Sequence, residues 1–142
     1  MKRIILITGL LLAGFFACAQ EGQPGKWKIK MNGKTLINTS TEDEKVNTKN
    51  ISSSEWKKSG YLEISYTEAE PNTWIRSFLF VDENDQQLFA VENSMKAKVS
   101  LSKLRKLFAG KKEVRIYTSI APVNPDIKVR IRRVHLCTLK LR

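Results

Sequence analysis

Apolar and polar residues alternate with a period of two through most of this chain. Trp27, Ile29 and Met31 alternate with Lys28 and Lys30 up to Asn32-Gly33, after which Thr35, Leu36 and Ile37 resume an extended pattern. Every second side chain of an extended segment shares a face, so such runs predict half-buried strands, here at about 26–31 and 34–39. Asn-Gly supplies the two residues that tolerate positive φ, as a type I′ hairpin requires. Between Asn38 and Ser59 the chain turns polar, with the acidic run Glu42-Asp43-Glu44 and only Val46, Ile51 and Trp56 as apolar anchors. A long surface connection is expected there, either a functional loop or one that holds a short strand. Leu62, Ile64 and Tyr66 then alternate with Glu63, Ser65 and Thr67. Trp74 to Val81 is apolar except for Arg76 and Ser77, which predicts a central strand covered on both faces. Leu88 to Val91 is its expected hairpin partner across the polar turn Asp82 to Gln86.

After Met95, Ala97 and Val99, which alternate with Lys96 and Lys98, the period lengthens. Leu101, Leu104, Leu107 and Phe108 recur at three- and four-residue spacing, predicting a short amphipathic helix capped by Ser100 or Ser102 and closed at Gly110. Val114, Ile116 and Thr118 predict another strand, and Ile127 to Arg142 reads as one long strand crossing the domain. Ile127, Val129 and Ile131 alternate with Lys128, Arg130 and Arg132. The apolar phase slips at Arg132-Arg133 to Val134 and Leu136, then again to Leu139 and Leu141, with a β-bulge expected at each slip. Strands this numerous, mostly joined by short turns, predict an all-β fold. The expectation is an antiparallel β-sandwich of about eight strands with one short helix, Greek-key-like, in the manner of an immunoglobulin domain or a cupredoxin without metal. Its C-terminal strand should be central or near-central.

The N-terminus breaks this pattern. Lys2 and Arg3 precede the apolar run Ile4 to Phe16, which is too short to span a bilayer comfortably, since a spanning helix needs about 20 residues. It reads as a signal peptide over residues 1–19, with Ala17-Cys18-Ala19 as the small-x-small cleavage site. Ala17-Cys18 also fits the end of a lipobox with Phe16 where a small residue is usual, and cleavage before Cys18 would make that cysteine the lipid attachment point. The first twenty residues resemble the leaders of bacterial exported proteins and small lipoproteins. The resemblance implies an exported, periplasmic or secreted protein, touching a membrane only through a lipid on Cys18. A polar linker follows at 20–25, then a single domain at 26–142, large enough to bury about two-thirds of its unfolded surface. Cys137 is the only cysteine in that domain, so no internal disulfide is expected.

The chemistry-bearing residues are few. The chain has one histidine. His135 and Cys137, two apart on a strand, should share a face and offer two metal ligands, which do not make a site; a copper-binding cupredoxin would need a second histidine. As a nucleophile and base they would stand about 6–7 Å apart, beyond hydrogen bonding. Cys137 is therefore expected in the core and His135 as a sheet residue. Asp82, Asn84 and Asp85 resemble the start of a calcium loop, but the glycine and distal glutamate are missing, so a hairpin turn is expected. Glu42, Asp43, Glu44, Glu68 and Glu70 follow no catalytic spacing. No catalytic residue, metal or cofactor is expected, and a binding module is favoured over a hydrolase or other enzyme.

Charge is the most distinctive feature. From Gln20 to Met95 nine Lys or Arg face twelve Asp or Glu, whereas from Lys96 to Arg142 fourteen face two. Nucleic acid is set aside, because the leader removes the chain from the cytoplasm and no nucleic-acid-binding motif is present. Anionic lipid, acidic glycan or an acidic protein surface are the expected partners. Lys128, Arg130, Arg132 and Arg133 are the expected contacts, because a strand presents alternate side chains about 6.5–7 Å apart and guanidinium groups bind carboxylate or phosphate bidentately. The competing explanation is that these cations keep a sheet edge from pairing with other chains. The resulting expectation is an exported bacterial envelope protein, a non-catalytic binding or interaction module. The alternative is a structural or assembly accessory of the envelope, in which the acidic half of one molecule meets the basic half of another.

Overall fold

A computed structural model describes residues 25–70 and 72–142. The expected leader, the candidate lipid site Cys18 and most of the expected linker lie outside the described residues. Two sheets pack face to face to form an all-β sandwich. The first has the order β2-β1-β4-β7, built from β1 (Lys26–Met31), β2 (Lys34–Thr39), β4 (Tyr61–Thr67) and β7 (Lys96–Ser100). The second has the order β3-β9-β8-β5-β6, built from β3 (Thr48–Ile51), β5 (Ile75–Val81), β6 (Gln87–Val91), β8 (Glu113–Ala121) and β9 (Val134–Leu141). All pairings are antiparallel except β3 with β9, which is parallel.

The alternating residues fill one core. Trp27, Ile29, Leu62, Ile64 and Val99 from the first sheet meet Phe78, Phe80, Val114, Ile116, Leu136 and Leu139 from the second. Each such side chain contributes about 1.5–3 kcal/mol on burial. Across the middle, Trp27 Nε1 donates to the Leu136 carbonyl at 3.1 Å. Among the described residues, the fully buried core cluster runs from Trp27 to Leu139.

Two helices close one end. Ser100 caps α2 (Leu101–Leu107), whose Leu101 and Leu104 enter the core with Phe108. Short α1 (Ser53–Lys57) lies beside it, held by Arg105 Nη1 donating to the carbonyls of Trp56 and Lys58. At the opposite end the loops gather. Lys26 pairs Thr67 and Ile75 pairs Ala121, so the entry to β1, the β4–β5 connection and the exit of β8 all lie there. Arg76 ties the sheets together at this end, with its Nη2 2.5 Å from Glu68 Oε1 and its guanidinium 3.6 Å from the centre of the Tyr66 ring.

The structure differs from the expected elements in two places. The C-terminal strand begins at Val134, and residues 127–133 form an exposed segment outside both sheets. The phase slip at Arg132-Arg133 is thus a strand start, while the later one is a true bulge. Ile116 pairs Cys137 and Tyr117 pairs His135, leaving Leu136 as the extra residue. The polar stretch 38–59 holds the short strand that is one of its two expected readings, β3, and also an unexpected helix, α1, giving nine strands and two helices among the described residues. The β1–β2 hairpin forms as expected, with φ of 51° at Asn32 and 80° at Gly33.

Candidate functional site

The bulge at Leu136 separates the two residues that carried the candidate chemistry. Cys137, paired with Ile116, joins the core, where burial pushes its thiol pKa up to about 12. His135, paired with Tyr117, lies on the other side of the sheet, against the edge of that ring at 5.5 Å between centroids. An extra residue reverses the alternation, so the expected shared face does not exist. His135 is buried, its Nε2 is 2.8 Å from Thr138 Oγ1, and burial pulls its pKa below the ordinary value. Among the described residues, no three His, Cys, Asp or Glu side chains cluster as metal ligands would. The calcium-like turn is a hairpin turn. Asp82 Oδ1 accepts from the backbone amides of Asn84 and Gln86 at 2.9 Å, and Oδ2 meets Lys111 Nζ at 2.8 Å.

The four expected contact residues divide into two pairs. Arg132 Nη2 lies 2.5 Å from Glu42 Oε2, while Glu42 Oε1 accepts from the His135 amide at 3.0 Å. Arg133 Nη2 lies 2.8 Å from Asp85 Oδ1, with its guanidinium over the Tyr117 ring. These arginines pin the base of the 127–133 segment to the sandwich. Lys128 and Arg130 are exposed, and among the described residues no carboxylate lies within ion-pair distance of either. The acidic run and the basic tail, opposite in sequence, thus partly neutralise each other within one molecule. That pairing uses up charge that head-to-tail assembly between molecules would need.

A larger basic surface lies on the outer face of the first sheet. Because β1 and β7 flank β4, Lys28, Ser65 and Lys96 form one row across the strands and Lys30, Glu63 and Lys98 the next. With strands about 4.8 Å apart, the two lysines of each row stand about 10 Å apart at the backbone, and the rows about 7 Å apart. A shallow groove of about 450 Å³ runs between them, lined by these four lysines with Glu63, Ile64, Ser65 and Ala97. Lys98 Nζ sits 3.9 Å from Glu63 and 4.5 Å from the centre of the half-exposed Tyr61 ring. Among the described residues, Lys28, Lys30 and Lys96 have no carboxylate within ion-pair distance. The alternation of Lys28 with Lys30 and of Lys96 with Lys98 is visible in the sequence, but their convergence depends on strand order.

Comparison with protein-family models, curated proteins and solved structures finds no match to this chain.

Proposed function

We propose that this protein is a non-catalytic binding module of the bacterial envelope, exported by its leader and facing an anionic partner. The observation that carries the reading is the face built by Lys28, Lys30, Lys96 and Lys98, whose groove, among the described residues, is lined by one acid, Glu63. Ammonium groups in two rows match a partner with repeated negative charge, such as a charged polymer. The Tyr61 ring at its edge adds a flat apolar surface next to Lys98. Acidic glycan is the anionic partner these features favour.

Titration calorimetry of the chain starting at Gln20 against an acidic and a neutral polysaccharide tests this. The acidic polymer alone should bind, with affinity falling as salt is raised because exposed charges are screened within about 8 Å at physiological ionic strength. Changing Lys28, Lys30, Lys96 and Lys98 to Gln should weaken binding at least tenfold without lowering the melting temperature. Equal binding by parent and variant, or binding of the neutral polymer alone, would overturn the proposal.

A further inference from the structure

The segment 127–133 presents an unusual surface. Ile127 is 52%, Val129 39% and Ile131 54% exposed, in a segment that the ion pairs of Arg132 and Arg133 hold in place. Single exposed aliphatics are ordinary, but three at alternate positions, interleaved with exposed Lys128 and Arg130, make an amphipathic strap. The strap leaves the second sheet after Ala121 and rejoins it at Val134, at the end away from the helices. Val123, on the same connection, is 63% exposed, and Trp74, just before β5 at that end, is 40% exposed. Gly25, through which the domain is joined to everything N-terminal to it, lies there too, against Tyr66. Thus both ends of the strap, Trp74 and the chain entry lie at one pole of the sandwich, and among the described residues neither Lys128 nor Arg130 has an acidic partner.

We infer that this pole docks on an anionic lipid bilayer, with Ile127, Val129 and Ile131 entering the headgroup boundary and Lys128 and Arg130 meeting lipid phosphates. Where residues 127–131 run extended, alternation sets their apolar side chains opposite the cations. Long cationic side chains reach back to headgroups from a segment lying flat in the interface. Trp74 suits the same depth, since tryptophan prefers the membrane–water boundary. The strap belongs to neither sheet, so its backbone lacks ladder hydrogen bonds, and unsatisfied amides are not tolerated in the hydrocarbon core; contact stops at the interface. A tether entering at Gly25 would bring this pole, rather than the helical one, to the membrane. The site is separate from the lysine face, so either can fail without the other.

Vesicle flotation with the chain starting at Gln20, which carries no Cys18 and hence no attached lipid, tests the inference. The parent should float with vesicles containing phosphatidylglycerol and not with pure phosphatidylcholine, and brominated lipid should quench Trp74 emission relative to a Trp74→Phe control. Lys128→Gln with Arg130→Gln should weaken partitioning about tenfold or more, since each cation near an anionic surface is worth about 1 kcal/mol. Ile127→Ser, Val129→Ser and Ile131→Ser together should abolish flotation while leaving the melting temperature unchanged, because the replaced side chains are exposed. The four-lysine variant should still float. The inference is overturned if the parent does not float, if the triple-serine variant floats like the parent, or if only the four-lysine variant loses binding. It is also overturned if, without lipid, light scattering shows a dimer that the triple-serine variant loses, which would assign the strap to pairing between copies.

Discussion

Asn32 and Gly60 show how a local signal can hide a long-range one. The Asn32-Gly33 turn is legible in the sequence, yet Asn32 does more than tolerate positive φ. Its Oδ1 accepts from the Tyr61 amide at 3.1 Å and its amide donates to the Tyr61 carbonyl at 3.0 Å, clasping the turn to the start of β4. Gly60 has φ of +142°, and a Cβ there would sit 1.6 Å from Asn32 Oδ1, whereas nothing lies within 4 Å of a Cβ at Gly33. Gly33→Ala should therefore cost only backbone strain, about 1–2 kcal/mol. Gly60→Ala should cost about 2–3 kcal/mol because it also displaces the clasp. Urea unfolding of the two variants gives the difference directly. His135 sets a second expectation. Burial lowers its folded-state pKa beneath the ordinary 6.5, while Glu44 and Glu42 oppose the shift without reversing it. The unfolded chain then binds more protons just below pH 6.5, so stability should be full above that pH and fall as pH drops towards the folded pKa. Asp82, Glu55 and Glu83, whose pKa values are lowered from the ordinary carboxylate range, lose their contributions only at lower pH. Melting temperatures between pH 8 and pH 5 should fall, and His135→Asn should flatten that fall; an unchanged slope in the variant would assign the loss elsewhere.

Among the elements, those with dense alternation were legible and those anchored by distant partners were not. β1, β2 and β4 carry their pattern and turn chemistry within a few residues, so they stand where the periodicity puts them, within a residue. β3 is four residues long and exists because it pairs in parallel with β9, some ninety positions away, which no local pattern reveals. α1 had a readable signal that sparse hydrophobicity masked. Ser52 and Glu55 form a capping box, the S-x-x-E spacing that marks a helix start. The strap misleads in the opposite direction, since period-2 alternation describes any extended chain, whether or not a ladder holds it. What remains of the C-terminal strand is central. β9 lies between β3 and β8, and five consecutive residues, His135 to Leu139, are buried. Removing Val134 to Arg142 should therefore abolish cooperative folding, because it opens both neighbouring strands and removes Leu136 and Leu139 from the core. Circular dichroism melts would show the outcome, and a soluble truncation with a sharp transition would make β9 peripheral.

At the scale of the molecule, composition was a poor guide to where charge resides. Counting along the chain divides it into an acidic and a basic half, but folding sets Glu42 against Arg132 and Asp85 against Arg133 while bringing lysines from both halves onto one sheet. Neither proposed surface could be located without strand order. The lysine face needs β4 between β1 and β7, and the apolar pole needs both ends of the strap placed away from the helices.

The place of β9 also sets a timetable. Of the five strands in its sheet it is the last to be synthesised, yet it fills the gap between β3 and β8, strands made earlier and unable to pair with each other across it. Until residue 141 is available, β3 has no ladder partner in the sheet and Trp27 lacks the Leu136 carbonyl that its indole donates to. Long-range closure of this kind is slow, because loop entropy is lost before the contacts that repay it can form. A nascent chain of this sequence should stay open until its final strand is made, so its folding waits on the end of synthesis.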